Sequence, residues 1–131
     1  MIRKHMIASG VKYDYVVRLR PDTWFHLPMP NIESIVATKN VIRYADFMYY
    51  RGGNQDWFGL GRAEAMFPYL ERYLALQEIG EDMQYLRGRQ WTAESFLTQY
   101  MQGYFNVTLV PDKRIAAGIV KPTTRGAPST P

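Results

Sequence analysis

The chain has 131 residues, 47% of them hydrophobic and 15% aromatic, which is apolar enough for one small domain with a core and too apolar for a disordered chain. It contains no cysteine, which removes disulfides and thiolate metal sites, and no apolar run approaches the roughly 20 residues of a membrane span. The net charge of +4 is carried mostly by arginine, which suits planar, bidentate recognition of phosphate or carboxylate, although a solvated basic surface accounts for the same excess without a ligand.

In chain order, IRKHMIASG (2–10) has the pattern of a helix end stopped by Gly10, with basic residues but no apolar segment or cleavage site of a signal peptide. The compartment is left open, cytoplasmic if the chain is complete. Residues 13–20, YDYVVRLR, read as a strand rich in Tyr and Val that Pro21 ends. LPMP (27–30) is a loop, and Asn31 caps a short helix, IESIVAT, with Ile32, Ile35 and Val36 on one face. VIRYAD (41–46) and DWFGLG (56–61) are two further short strands, with GGN as a flexible turn between them.

Residues 62–79 make the longest helix. Met66, Leu70, Tyr73 and Leu74 fall at helical spacing, and Glu64, Glu71 and Arg72 belong to other faces. Pro68 lies past the first turn, so a kink or a break is expected there. A polar loop (80–90) leads to a second amphipathic helix over 92–105, with Thr92 as its cap, and NVTLV (106–110) closes the pattern as a strand. The tail 121–131, rich in Pro, Thr and Ser, is expected to be disordered.

Interleaved helices and short strands predict a single α/β domain over residues 1–120. A first strand as apolar as YVV belongs inside a parallel sheet, flanked on both sides by other strands. Four short strands barely supply those neighbours, so the chain reads as if it starts in the middle of a domain.

The chemistry concentrates in RLRPD (18–22). Ligands of open α/β sheets bind beyond the carboxyl ends of strands, and alternation puts Arg18 and Arg20 on one side with Leu19 opposite. Two guanidinium groups there suit a diphosphate, and the Asp22 carboxylate suits a divalent metal. The competing reading makes Asp22 a turn cap after Pro21 and pairs the arginines with Asp14 or Asp46. His5 and His26 are expected at the surface.

YDYVVRLRPDTWF resembles the YDWVVRxRPD segment of a group of glycosyltransferase-like proteins with the GT-A fold. GGNQDWFGLGRAEAMFPYLERY (52–73) and WTAESFLTQYMQGYFNVTLV (91–110) resemble two later segments of the same group, in the same order. The resemblance spans roughly residues 5–120. It implies transfer of a sugar from a nucleotide-sugar donor to a carbohydrate or protein acceptor, with a divalent metal (manganese or magnesium) bridging the donor diphosphate. Carried over by position, Asp22 is the metal ligand, Arg18 and Arg20 hold the diphosphate, Asp56 meets sugar or acceptor hydroxyls, and Glu94 is the catalytic base. Arg20-Pro21-Asp22 stands where two spaced acids are usual, so the metal site is thin. The resemblance also implies that this is a partial GT-A domain whose N-terminal nucleotide-binding half is missing, completed by another polypeptide or by self-association.

A carboxylate shielded from water makes a good general base, and the leaving diphosphate needs positive charge. Each residue also has a plainer reading: Asp56 as a turn residue after Gly-Gly, and Glu94 as a first-turn acid favoured by the helix dipole. Trp24, Trp57 and Trp91 are either sugar-stacking platforms or core. Two other functions compete with glycosyl transfer. One is a non-catalytic module binding carbohydrates or anions; the other is a metal-dependent hydrolase using Asp22, Asp56 and Glu94. With no recognised motif or long basic run, nucleic acid is not expected as a partner.

Overall fold

A computed structural model describes residues 2–46, 57–79 and 93–119. The chain runs α1 (Ile2–Ser9), β1 (Tyr15–Leu19), β2 (Thr23–Phe25), α2 (Ile32–Ile35), β3 (Val41–Ala45), β4 (Phe58–Arg62), α3 (Ala63–Ile79), α4 (Ala93–Phe105), β5 (Thr108–Asp112) and β6 (Ala117–Ile119). The GGN turn, the loop at 80–90, the Thr92 cap and the tail lie outside the described residues. No helix among the described residues is long and apolar enough to cross a membrane.

Local signals end the elements where chain chemistry demands. Gly10 takes a left-handed φ of 69° and its N–H bonds the Met6 carbonyl at 3.0 Å, closing α1 as only a residue without Cβ does readily. Pro21 turns the chain out of β1: the Thr23 N–H returns to the Arg20 carbonyl at 3.0 Å, with Pro at the second position of a four-residue turn. The Asn31 side chain accepts the Glu33 N–H at 2.9 Å and caps α2. At the end of α4, Asn106 adopts φ 52° and the Val107 N–H bonds the Met101 carbonyl, reversing the chain into β5.

The fold is α/β, with a four-stranded mixed open sheet in the order β1-β4-β3-β5 and flanking helices; a separate two-stranded sheet pairs β2 with β6. Strand β4 is antiparallel to both β1 and β3, and β3 is parallel to β5. Strands β1, β3 and β5 therefore point the same way, and their carboxyl ends share one end of the sheet.

Pleating sends alternate residues to two cores. One face carries Val16, Ile42, Tyr44 and Leu109 under Met66 and Tyr69 of α3 and Leu97 and Met101 of α4. The other carries Ala45, Phe58 and Leu60 against Ile35, Val36, Ile115 and Ala117. Each fully buried aliphatic side chain contributes roughly 1.5–3 kcal/mol. Gly59 and Gly61 let α3 settle directly on β4: a Cβ at residue 59 would stand 2.9 Å from the Tyr69 ring.

Three expectations are corrected in whole or in part, and one element was unforeseen. Among the described residues strand β1 is not interior: it lies at the edge of the sheet beside the antiparallel β4, because the hairpin-like return from β3 through β4 brings β4, not another parallel strand, next to it. The second sheet was not foreseen, since three-residue strands such as TWF leave no periodic signal. Helix α3 continues through Pro68, so of the expected kink or break the break is absent. Its buried face agrees with expectation at Met66 and Leu70 but not beyond: Arg72 is 1% exposed, whereas Tyr73 and Leu74 are 49% and 76% exposed. In a segment apolar on several sides, periodicity does not select the face, and the Tyr69 contact with Gly59 does.

Candidate functional site

The shared carboxyl end of β1, β3 and β5 gathers RLRPD from β1, Asp46 after β3 and Asp112 at the end of β5. Helix α4 reverses within two residues into β5 and packs on it, so its N-terminal turn, with Glu94, points to this same end. RLRPD and Glu94 thus lie at the end of the sheet beyond which open α/β folds bind their ligands.

Arg20 and Asp22 are engaged with each other. The Arg20 Nε donates to Asp22 Oδ1 at 2.9 Å and Nη2 donates to Oδ2 at 2.8 Å, a two-point guanidinium–carboxylate fork. That hydrogen-bonded guanidinium holds the Asp22 carboxyl below the usual carboxylate range. The arginine expected to pair with Asp14 or Asp46 pairs with its own turn instead. The fork is solvent-exposed, so a competing ligand displaces it easily.

Arg18 is different. It lies opposite Gly59 in the β1–β4 register, on the helix-covered face. Its Nη1 is buried and has no hydrogen-bond partner among the described residues. A buried guanidinium nitrogen without an acceptor carries a desolvation cost that an incoming anion would relieve.

Trp24 is 53% exposed on β2, its ring 4.7 Å from that of His26, itself exposed. The pair forms an aromatic platform just past the Arg20–Asp22 turn. His26 is held in the second sheet by its N–H bond to the Ala116 carbonyl at 2.8 Å. His5 is exposed as expected and stacks on Tyr13. Trp57 takes the core alternative: it is 8% exposed and packs with Phe58 in the second core, because it immediately precedes the buried β4. Glu94 is half-buried, and no hydrogen bond or ion pair joins its carboxylate to the RLRPD group among the described residues. Asp56 and Trp91 lie outside the described residues.

Sequence reading passed over Asp112 and Arg114. Arg114 donates from Nε to Asp112 Oδ1 at 2.9 Å and from Nη2 to Oδ2 at 2.7 Å, and the Arg114 N–H adds a third bond to Oδ1 at 3.0 Å. The Arg114 guanidinium holds the Asp112 carboxyl below the usual carboxylate range against the opposing effect of burial, and the nearby Arg43 charge adds to this. The signal was available: PDKR follows the closing strand as RPD follows the first.

Among the described residues no group of three or more His, Asp or Glu side chains could hold a metal ion. Asp22 offers one carboxylate, already paired, so these residues alone do not compose a metal centre. Comparison with protein-family models finds no match, and neither does comparison with curated proteins or with solved structures.

Proposed function

We propose that this chain carries the diphosphate-binding and acceptor-side elements of a GT-A-type glycosyltransferase, with the diphosphate of a nucleotide-sugar donor lying beyond the carboxyl ends of β1, β3 and β5. The observation that supports the reading most is Arg18, whose buried Nη1 lacks an acceptor at the end of the sheet where such ligands bind. In this reading Arg18 takes a phosphoryl oxygen of the donor, and Arg20 joins it when the exposed fork to Asp22 opens. Glu94, at the same end, takes the proton from the acceptor hydroxyl. Trp24 with His26 offers a ring face to a sugar. A bound manganese or magnesium ion would be held by the Asp22 carboxylate once it leaves Arg20, and would supply positive charge to the leaving diphosphate.

The test is affinity for a panel of uridine and guanosine diphosphate sugars, with transfer followed separately. A hydrogen bond to a charged group is worth roughly 1.5–3 kcal/mol, so Arg18→Gln should weaken donor binding by about 10- to 100-fold. Glu94→Gln should spare donor binding and depress transfer. A wild-type chain that binds no nucleoside diphosphate sinks the reading. Donor binding without transfer favours the second reading, a non-catalytic anion- or carbohydrate-binding module, which the mutual occupation of Arg20 and Asp22 supports.

A further inference from the structure

The sheet face opposite α3 and α4 carries two arginines side by side. Arg43 of β3 pairs with Leu60 of β4, and Arg62 stands two residues beyond Leu60 on the same strand. All three therefore project from one face, and Leu60 fixes it as the face of the second core. Diagonal neighbours of this kind stand about 7–8 Å apart, which long side chains bridge easily. Both arginines are half-buried, and in each the Nε is enclosed without a hydrogen-bond partner. Neither forms an ion pair among the described residues. The acids on this side of the sheet do not neutralise them. Asp112, two residues beyond the Val110 that pairs with Arg43, gives both oxygens to Arg114. Glu33 of α2 is exposed and makes no ion pair among the described residues.

We propose that Arg43 and Arg62 together bind a phosphoryl group, at a second anion site on the sheet face opposite Arg18. One guanidinium fork matches a carboxylate; a phosphate monoester, with three oxygens and close to two negative charges, matches two. The ligand also ends the repulsion between two like charges on neighbouring positions of the sheet. Tyr15, opposite Arg62, sets its ring 5.4 Å from that guanidinium carbon and holds the group in place. The aliphatic stems lie along the core face, so only the guanidinium ends need meet the ligand. This site does not rest on the donor reading, because Arg18 lies opposite Gly59 on the helix-covered face.

An enclosed Nε–H exchanges slowly with water, so each arginine supplies its own NMR signal. The two signals are assigned from their loss in Arg43→Gln and in Arg62→Gln. Inorganic phosphate, added to the whole chain at constant ionic strength, should shift both along one saturable curve. Acetate should shift them far less. Either Gln variant should weaken phosphate binding about 10- to 100-fold, read from the signal that remains, and Arg18→Gln should leave the curve in place. Signals that stay put in phosphate, or move equally in acetate, overturn the proposal and leave the two arginines as charged covers of the core. Different midpoints for Arg43 and Arg62 overturn it too, because one ligand held by both must titrate both together. The wild-type titration decides these outcomes even if a variant unfolds.

Discussion

Gly59→Ala is the sharpest probe of how α3 meets the sheet. The new Cβ would lie 2.9 Å from Tyr69 Cζ, 3.0 Å from its Oη and 3.1 Å from Cε1. Ordinary van der Waals contact begins near 3.4 Å, so the ring must retreat by a few tenths of an ångström to half an ångström. Tyr69 is fully buried and its hydroxyl donates to the Phe58 carbonyl at 3.4 Å, so the ring has little room to retreat. Overpacking of this kind costs about 1–3 kcal/mol. Against it stands the gain from restricting the unfolded chain, about 0.4–1 kcal/mol, which applies because residue 59 is not in the left-handed region. The net expectation is destabilisation by about 1 kcal/mol, read from urea unfolding followed by circular dichroism. Tyr69→Leu shortens the ring side chain and should make Gly59→Ala neutral or stabilising in that background, a coupling of about 1–2 kcal/mol. For Gly61→Ala the nearest atoms stand farther off, Ile42 Cγ1 and Met66 Cγ at 3.2 Å and the Val41 carbonyl at 3.3 Å, so it should cost less. If Gly59→Ala is as stable as wild type, or costs the same with and without the Tyr69 ring, the close approach does not set the helix position.

Asp112→Asn should lose about 1–3 kcal/mol near neutral pH, since it breaks the charge-assisted bonds from Arg114. Because the folded-state Asp112 pKa lies below 3.8, its stabilisation is present above that pH and is lost as pH falls through the folded value; the gap between wild type and variant should close there, and an unchanged gap in acid unfolding refutes the pairing. Arg20→Gln removes the guanidinium of the fork, so the Asp22 carboxyl should titrate at higher pH than in wild type, followed by NMR; an unchanged titration would mean that Arg20 does not hold the carboxylate. Trp57→Ala should cost about 3–5 kcal/mol as a core truncation, and Trp24→Ala should leave the melting curve in place while weakening any sugar binding. Comparable losses of stability for both would mean that Trp24 is not a free surface platform.

Much of this fold was legible along the chain. Gly10, Pro21 and Asn31 set local boundaries because each acts through its own backbone or a neighbour two or three residues away, and the structure ends or starts elements at all three. The same locality made RLRPD conspicuous, and the co-directional strands place it at the end of the sheet where ligands of such folds bind. What the tertiary structure alone decided depends on partners distant in sequence. Val16 and Val17 look alike in the chain, yet Val16 is buried and Val17 is not, because β4 covers only one side of β1 and α3 only one face. Arg72 reads as a surface charge and is buried because Gly59, 13 positions earlier, lets Tyr69 and its helix turn inward. Asp22 reads as an available ligand and is instead held by Arg20, since the Pro21 turn folds the two side chains onto each other. Side-chain alternation and turn chemistry are properties of a few neighbouring residues; edge, face and ion-pair partner are properties of what packs beside them.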